Sequence, residues 1–237
     1  MRFTTTKRLN SPQVVAFSSL LILIFITSMK YPNEPEKTYT YLALGDSYTI
    51  GEQVPGRDNF PNQVTRLLNE KRIAFQSPTI VAKTGWTTDE LQNGIDKAIL
   101  NGQYDFVSLL IGVNNQYRGL SKEKYAAEFE SLLKQAIAYG NNEVSHVIVL
   151  SIPDWGITPF AEGRNRNQIA KEIDDFNSIN KQISLRYQVH YIDITPGTRK
   201  AADDVSLLAA DGLHPSGKEY SIWAQEVSDT IENLLQH

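Results

Sequence analysis

The chain reads as an α/β domain built on a five-stranded parallel sheet, and three observations point there. Short apolar runs alternate with longer segments of helical periodicity from Thr38 to Leu235. The runs are apolar at nearly every position rather than at every second one, as expected of strands covered on both faces. Each pair of successive runs is separated by enough chain for a helical crossover, and right-handed crossovers put the C-terminal ends of all strands on one edge. Ligands of such sheets bind beyond that edge.

The elements follow in order. Tyr39 to Leu44 is a strand, and Asn59 to Lys71 has a helical pattern through Val64, Leu67 and Leu68. Thr79 to Ala82 is the second strand; Thr87 to Leu100 repeats Leu91, Ile95, Ala98 and Ile99 at helical spacing, with Thr88 as its cap. Phe106 to Ile111 is apolar apart from Ser108, and Lys122 to Tyr139 aligns Tyr125, Phe129, Leu132, Leu133 and Ile137 on one face. His146 to Leu150 and Val189 to Ile194 are the fourth and fifth strands, flanking a helix over Gln168 to Tyr187. Gly217 to Leu235 closes the domain with Tyr220, Trp223, Val227, Ile231 and Leu234 in a stripe of helical period. Ile152 to Asn167 has no evident element; a connection of that length on the ligand edge reads as a wall for substrate.

Composition narrows the function. A net charge of -4 and the absence of a basic patch exclude nucleic acid as the expected partner. The lack of cysteine excludes disulfides, thiolate metal sites, a cysteine nucleophile and a lipid-modified N-terminal cysteine.

The first 30 residues differ from the rest. Arg2, Lys7 and Arg8 precede an uncharged stretch, residues 14–29, rich in Leu, Ile, Val and Phe, and Lys30 ends it. A basic start before an apolar run is a secretory signal or, since Thr27-Ser28-Met29 offers no clean cleavage site, an uncleaved membrane anchor. A buried first helix fits less well, because the stretch has no polar face. Residues 1–30 are therefore expected to be a signal peptide or anchor, 31–37 a linker and 38–237 the folded domain, exported to the periplasm, the medium or the outer face of a membrane.

The strand ends carry the chemistry. The first delivers Gly45-Asp46-Ser47 to the ligand edge, with Gly45 permitting a sharp turn. Ser47 suits a nucleophile, since backbone N–H groups at a helix start face an oxyanion, and equally suits a helix cap. The second leads to Gly85 and the third to Gly112-Val113-Asn114-Asn115, which read either as neutral donors for a negative oxygen or as turn residues. Of four histidines, only His214 lies in a loop before the last helix, three residues after Asp211. The pair is either a carboxylate orienting an imidazole or an Asp-Gly turn followed by a surface histidine. Convergence of all these groups on one edge favours the catalytic readings.

These four segments resemble the SGNH (GDSL-type) hydrolase family: Gly45-Asp46-Ser47, Gly85, Gly112-Val113-Asn114 and Asp211 to His214, in that order over most of residues 38–235. The resemblance implies a flavodoxin-like three-layer α/β/α sandwich. It implies Ser47 as nucleophile, His214 as base and Asp211 as its orienter. The Ser47 N–H, the Gly85 N–H and the Asn114 amide would form the oxyanion hole. Two departures are visible: Tyr48 stands where the family name has Leu, and Asn115 where Asp is common.

The expected activity is hydrolysis of carboxylic esters through an acyl-enzyme, with no metal or organic cofactor. Lipid, lysophospholipid and small acyl esters are the expected substrates, an O-acetylated carbohydrate the alternative. A secreted binding protein on the same fold is the reading from another class, which the intact set of Ser47, Asp211 and His214 disfavours. Trp86, Tyr117, Trp155 and Phe160 fall in segments that reach the ligand edge and can line an acyl pocket, stack on a sugar or pack the loops. Arg118 and Arg164 can meet a phosphate or carboxylate there, or only water.

Overall fold

Strand β1 (Tyr41–Asp46) is buried along its whole length and continues directly into a single helical turn, α1 (Ser47–Ile50). Helix α2 (Phe60–Glu70) starts at Asn59, whose side chain accepts from the Asn62 N–H, and it buries Phe60, Val64 and Leu68. Strand β2 (Thr79–Lys83), helix α3 (Thr88–Lys97), strand β3 (Phe106–Leu110), the short α4 (Val113–Tyr117) and the long α5 (Lys122–Tyr139) follow. Strand β4 (Val147–Leu150), helix α6 (Arg166–Arg186), strand β5 (His190–Ile192), the short α7 (Thr195–Thr198) and helix α8 (Gly217–Leu235) complete the order. Ser121, Asn165 and Ser216 cap α5, α6 and α8 through their side chains, each removing an orphan donor worth about 1 kcal/mol.

The computed structural model describes residues 1–4, 37–100 and 102–236. The apolar stretch 14–29 and most of the expected linker lie outside them, and among the described residues no helix is long and apolar enough to cross a membrane. The chain divides into units 1–35 and 36–237, and the sheet belongs wholly to the second.

All five strands are parallel, in the order β2-β1-β3-β4-β5. This is the flavodoxin-like order, with its switch point between β1 and β3. Helix α2 packs on α8, while α3, α5 and α6 form a second packed group. The stripe on α8 is buried, Trp223 lying edge-on to Tyr220 at 5.1 Å and tilted against Phe60 at 6.2 Å. The α/β fold expected from the alternation is the one observed.

Four boundaries differ from expectation. Strand β1 runs past Leu44, with Gly45 and Asp46 pairing with Ala82 and Lys83. Gly45 is thus needed for space rather than for a turn: a Cβ there would lie 2.1 Å from Thr49 Oγ1 and 2.5 Å from the Leu110 carbonyl oxygen. The cap of α3 is Thr87, not Thr88; the Thr87 N–H donates to Glu90 at 2.9 Å, the reciprocal half of a capping box. Strand β5 is shorter than Val189 to Ile194, and His146 precedes β4 in a 3-10 turn. The long connection holds two further 3-10 turns, Trp155–Ile157 and Pro159–Ala161.

Candidate active site

Because β1 and β3 are neighbours at the switch point, their C-terminal ends bring Asp46-Ser47 and Gly112-Val113-Asn114 side by side. Strand β2 flanks β1 and carries the Gly85 turn beyond its end, where Gly85 adopts φ +82°, a conformation that favours glycine. The loop before α8 reaches the same edge. Its shape comes from Asp211, whose Oδ1 accepts from the N–H groups of Leu213 and His214, each at 3.0 Å.

The two distant segments meet. The Ser47 Oγ lies 3.0 Å from His214 Nε2, and His214 Nδ1 lies 2.6 Å from Asp211 Oδ2. With Nδ1–H donated to the carboxylate, Nε2 is the acceptor for the serine hydroxyl. Ser47 and His214 are buried at 3% and 7% exposure, so their contact is shielded from competing water. Burial raises the proton affinity of Asp211, but the bonds from the His214 ring and from the two N–H groups outweigh it and hold the carboxyl below its usual range. The Tyr48 ring, 5.0 Å from the imidazole, packs on its face.

A cleft of about 160 Å³ is lined by Ser47, Gly85, Asn114 and His214 together with Tyr117, Trp155 and Phe160. Among the described residues the Gly85 N–H has no hydrogen-bond acceptor. Asn114 is differently placed: its Nδ2 donates to the Trp86 carbonyl at 3.0 Å and to Asp46 Oδ2 at 3.3 Å. The wall is aromatic, with Tyr117 edge-on to Trp155 at 5.2 Å and Phe160 edge-on to Trp155 at 6.0 Å. The Phe160 N–H donates to the Gly212 carbonyl at 3.2 Å, which ties this wall to the loop of Asp211 and His214.

Trp86 does not line the cleft. Its ring lies against Gly94 of α3, so close that a Cβ on Gly94 would fall 2.1 Å from it. The side chain after the Gly85 turn therefore packs on a helix, and only the Trp86 carbonyl serves the site. Asn115 also points away, accepting from the Thr88 N–H at 3.1 Å and donating to Thr88 Oγ1 at 2.7 Å. Its departure from the common Asp concerns the joint between α3 and α4. Arg118 is occupied too, paired with Glu90 at 3.1 Å and donating to the Gly85 carbonyl at 2.5 Å.

Sequence reasoning left out Asp46 as an actor. Its carboxylate is fully buried, accepts from the Tyr48 N–H at 3.0 Å and from Asn114, and has no cationic partner among the described residues. Burial pushes its pKa up to about 7, against the lowering by those hydrogen bonds. An acidic residue at the end of an otherwise apolar strand was the available signal. Thr84, Val113 and Leu213 also line the cleft, and each is a sequence neighbour of a residue expected there. Among the described residues no cluster of three or more His, Asp or Glu is placed to hold a metal ion.

A hydroxyl, an imidazole and a carboxylate in relay beside the free Gly85 N–H, at the switch point of a parallel sheet, form the arrangement of a serine-type hydrolase. The chain belongs to the GDSL-like lipase/acylhydrolase family, whose sequence profile matches residues 43–222. No curated protein sequence matches it. Solved structures with the same fold include the psychrotrophic esterase EstA from Pseudoalteromonas sp., at 18% identity and TM-score 0.65, covering 84% of this chain and 100% of that one. A lipase/acylhydrolase from Enterococcus faecalis aligns at 20% identity and TM-score 0.63, over 82% and 96% of the two chains. The acetylxylan esterase Axe2 from Geobacillus stearothermophilus aligns at 18% identity and TM-score 0.64, over 81% and 94%.

Proposed function

We propose that the protein hydrolyses carboxylic esters through an acyl-enzyme on Ser47. The observation that carries this reading is the relay itself, hydroxyl to imidazole at 3.0 Å and imidazole to carboxylate at 2.6 Å, opening into a cleft. Ser47 Oγ attacks the ester carbonyl as His214 Nε2 takes its proton. Asp211 holds the ring in the required tautomer and offsets the charge it acquires. The oxyanion that forms is met by the Ser47 and Gly85 N–H groups and by the Asn114 amide. The longer of the two Asn114 bonds, to Asp46, supplies the proton that turns toward the oxyanion. His214 then protonates the leaving alcohol, and water repeats the sequence on the acyl-enzyme.

The cleft favours a short acyl group. Its volume of about 160 Å³ lies well below the 300–1,000 Å³ usual for drug-sized ligands and is close to that of a cavity that holds benzene (~150 Å³). An acetyl to butyryl group fits within it, with the alcohol part extending past the aromatic wall. The half-exposed rings of Tyr117 and Phe160, each 42% exposed, favour a second reading, an O-acetyl esterase whose sugar stacks on them. Residues 14–29 are proposed to export the protein, as a cleaved signal or as an anchor that leaves the domain outside.

A panel of p-nitrophenyl esters from acetate to palmitate, with acetylated xylan beside it, tests the reading. The expected result is highest kcat/KM at two to four acyl carbons and loss of turnover in Ser47→Ala. Turnover that survives Ser47→Ala overturns the mechanism. A maximum at long chains overturns the short-acyl assignment.

A further inference from the structure

One cation packed on the aromatic wall of the cleft is left unused by the mechanism. The Arg164 guanidinium sits 5.2 Å from the ring centres of both Tyr117 and Trp155 and 5.7 Å from that of Phe160. These are the three aromatic side chains that wall the cleft. The only polar partner of its side chain among the described residues is the Tyr117 hydroxyl, reached by Nη2 at 3.2 Å. The other arginines near the sheet edge are spent: Arg118 on Glu90 and the Gly85 carbonyl, Arg199 on Asp154 and Asp174, Arg166 on the carbonyls of Ile157 and Thr158. Glu162, the one acidic residue in the segment 159–167, forms no ion pair with Arg164.

Ring faces hold a guanidinium in place by cation–π attraction without neutralising it, and they leave the N–H edges open. A planar fork with most of its five donors unspent is matched to a phosphate or carboxylate, which can take two of them at once. The short cleft leaves the rest of a substrate outside it, beside Tyr117 and Phe160, the two exposed rings on which the Arg164 guanidinium packs.

We propose that Arg164 is a specificity-determining residue that selects esters carrying a phosphate or carboxylate a few atoms from the scissile bond. The proposal rests on the ester-hydrolase reading. It names the substrate class within it.

The test compares 1-butyrylglycerol, its 3-phosphate and O-butyrylglycerate as substrates of wild type, Arg164→Gln and Arg164→Lys. The expected result is a wild-type preference for an anionic ester at low ionic strength that shrinks with added salt. Arg164→Gln lowers the ratio of anionic to neutral kcat/KM by about tenfold. Arg164→Lys falls between, keeping charge and losing the fork. Whichever anion loses more identifies the natural group. An unchanged ratio in Arg164→Gln, or equal loss on charged and neutral esters, overturns the proposal and leaves Arg164 as a prop for the wall. A second arm needs no turnover: glycerol 3-phosphate is titrated into Ser47→Ala and Ser47→Ala/Arg164→Gln, read by tryptophan fluorescence. Saturable binding lost in the double variant supports Arg164 as the anion-binding group, and if no ester is then cleaved it is the ester-hydrolase reading that fails and not the anion contact. Absence of binding to Ser47→Ala overturns the proposal.

Discussion

Two aspartates stand on either side of Ser47, and the fold treats them in opposite ways. Asp211 is half-exposed, faces an imidazole and two N–H groups, and keeps its charge easily; its carboxyl titrates below the usual range. Asp46 is fully buried, faces only neutral donors, and titrates at about 7 because burial dominates. The same side chain thus serves two ends. Where the proposed mechanism gives the partner a positive charge, the carboxylate has access and donors. Where the partner is a neutral amide, it is sealed in the core and holds a position. The linkage to stability has opposite signs as well. Asp211 contributes stability at neutral pH that is lost as acid protonates it, whereas Asp46 binds a proton more tightly folded than unfolded, and so costs stability as pH rises from its ordinary value toward 7.

The contrast breaks most visibly in turnover. Asp211→Asn is expected to lower kcat by about 10⁴ by leaving the imidazole in the wrong tautomer, read by steady-state kinetics on a p-nitrophenyl ester. Asn114→Ala removes one of the proposed donors to the oxyanion and should cost about a hundredfold or more in kcat. Asp46→Asn only frees the Asn114 amide from its tether, so a loss of roughly ten- to a hundredfold is expected. A loss in Asp46→Asn as large as in Asp211→Asn would erase the distinction.

Stability sharpens the same contrast. Melting temperatures of wild type and Asp46→Asn, measured from pH 4 to 8, should diverge in favour of the variant up to about pH 7 and then run parallel. Each kcal/mol is worth about 2–4 °C in a domain of this size. A difference independent of pH would mean that Asp46 is not the buried acid described. The smallest effect is expected at Arg118, which holds the Gly85 turn from outside through a half-exposed pair with Glu90. Arg118→Ala should lower kcat by only a few-fold, since such a pair is worth under about 1 kcal/mol.

What the sequence revealed divides along the same line. Ser47, Gly85, Asn114 and the Asp211–His214 pair could be placed because each follows a strand or precedes a helix, and a parallel sheet sends all such positions to one edge. The link between Asp46 and Asn114 spans 68 positions and joins two side chains that each have an ordinary local reading, so nothing short-range betrays it. Trp86 shows the limit in the other direction: its position at a strand end was legible, but the side on which its ring falls was set by the gap at Gly94. The cap of α3 is legible only through the three-residue spacing from Thr87 to Glu90, since Thr87 and Thr88 are adjacent and each can cap a helix.

Every step of the proposed mechanism rests on Ser47 as the activated nucleophile. A fluorophosphonate probe, followed by peptide mapping by mass spectrometry, reads this directly. The adduct is expected on Ser47 in wild type, absent from Ser47→Ala and strongly slowed in His214→Ala. An adduct on another residue, or none on a protein that melts cooperatively, would contradict it.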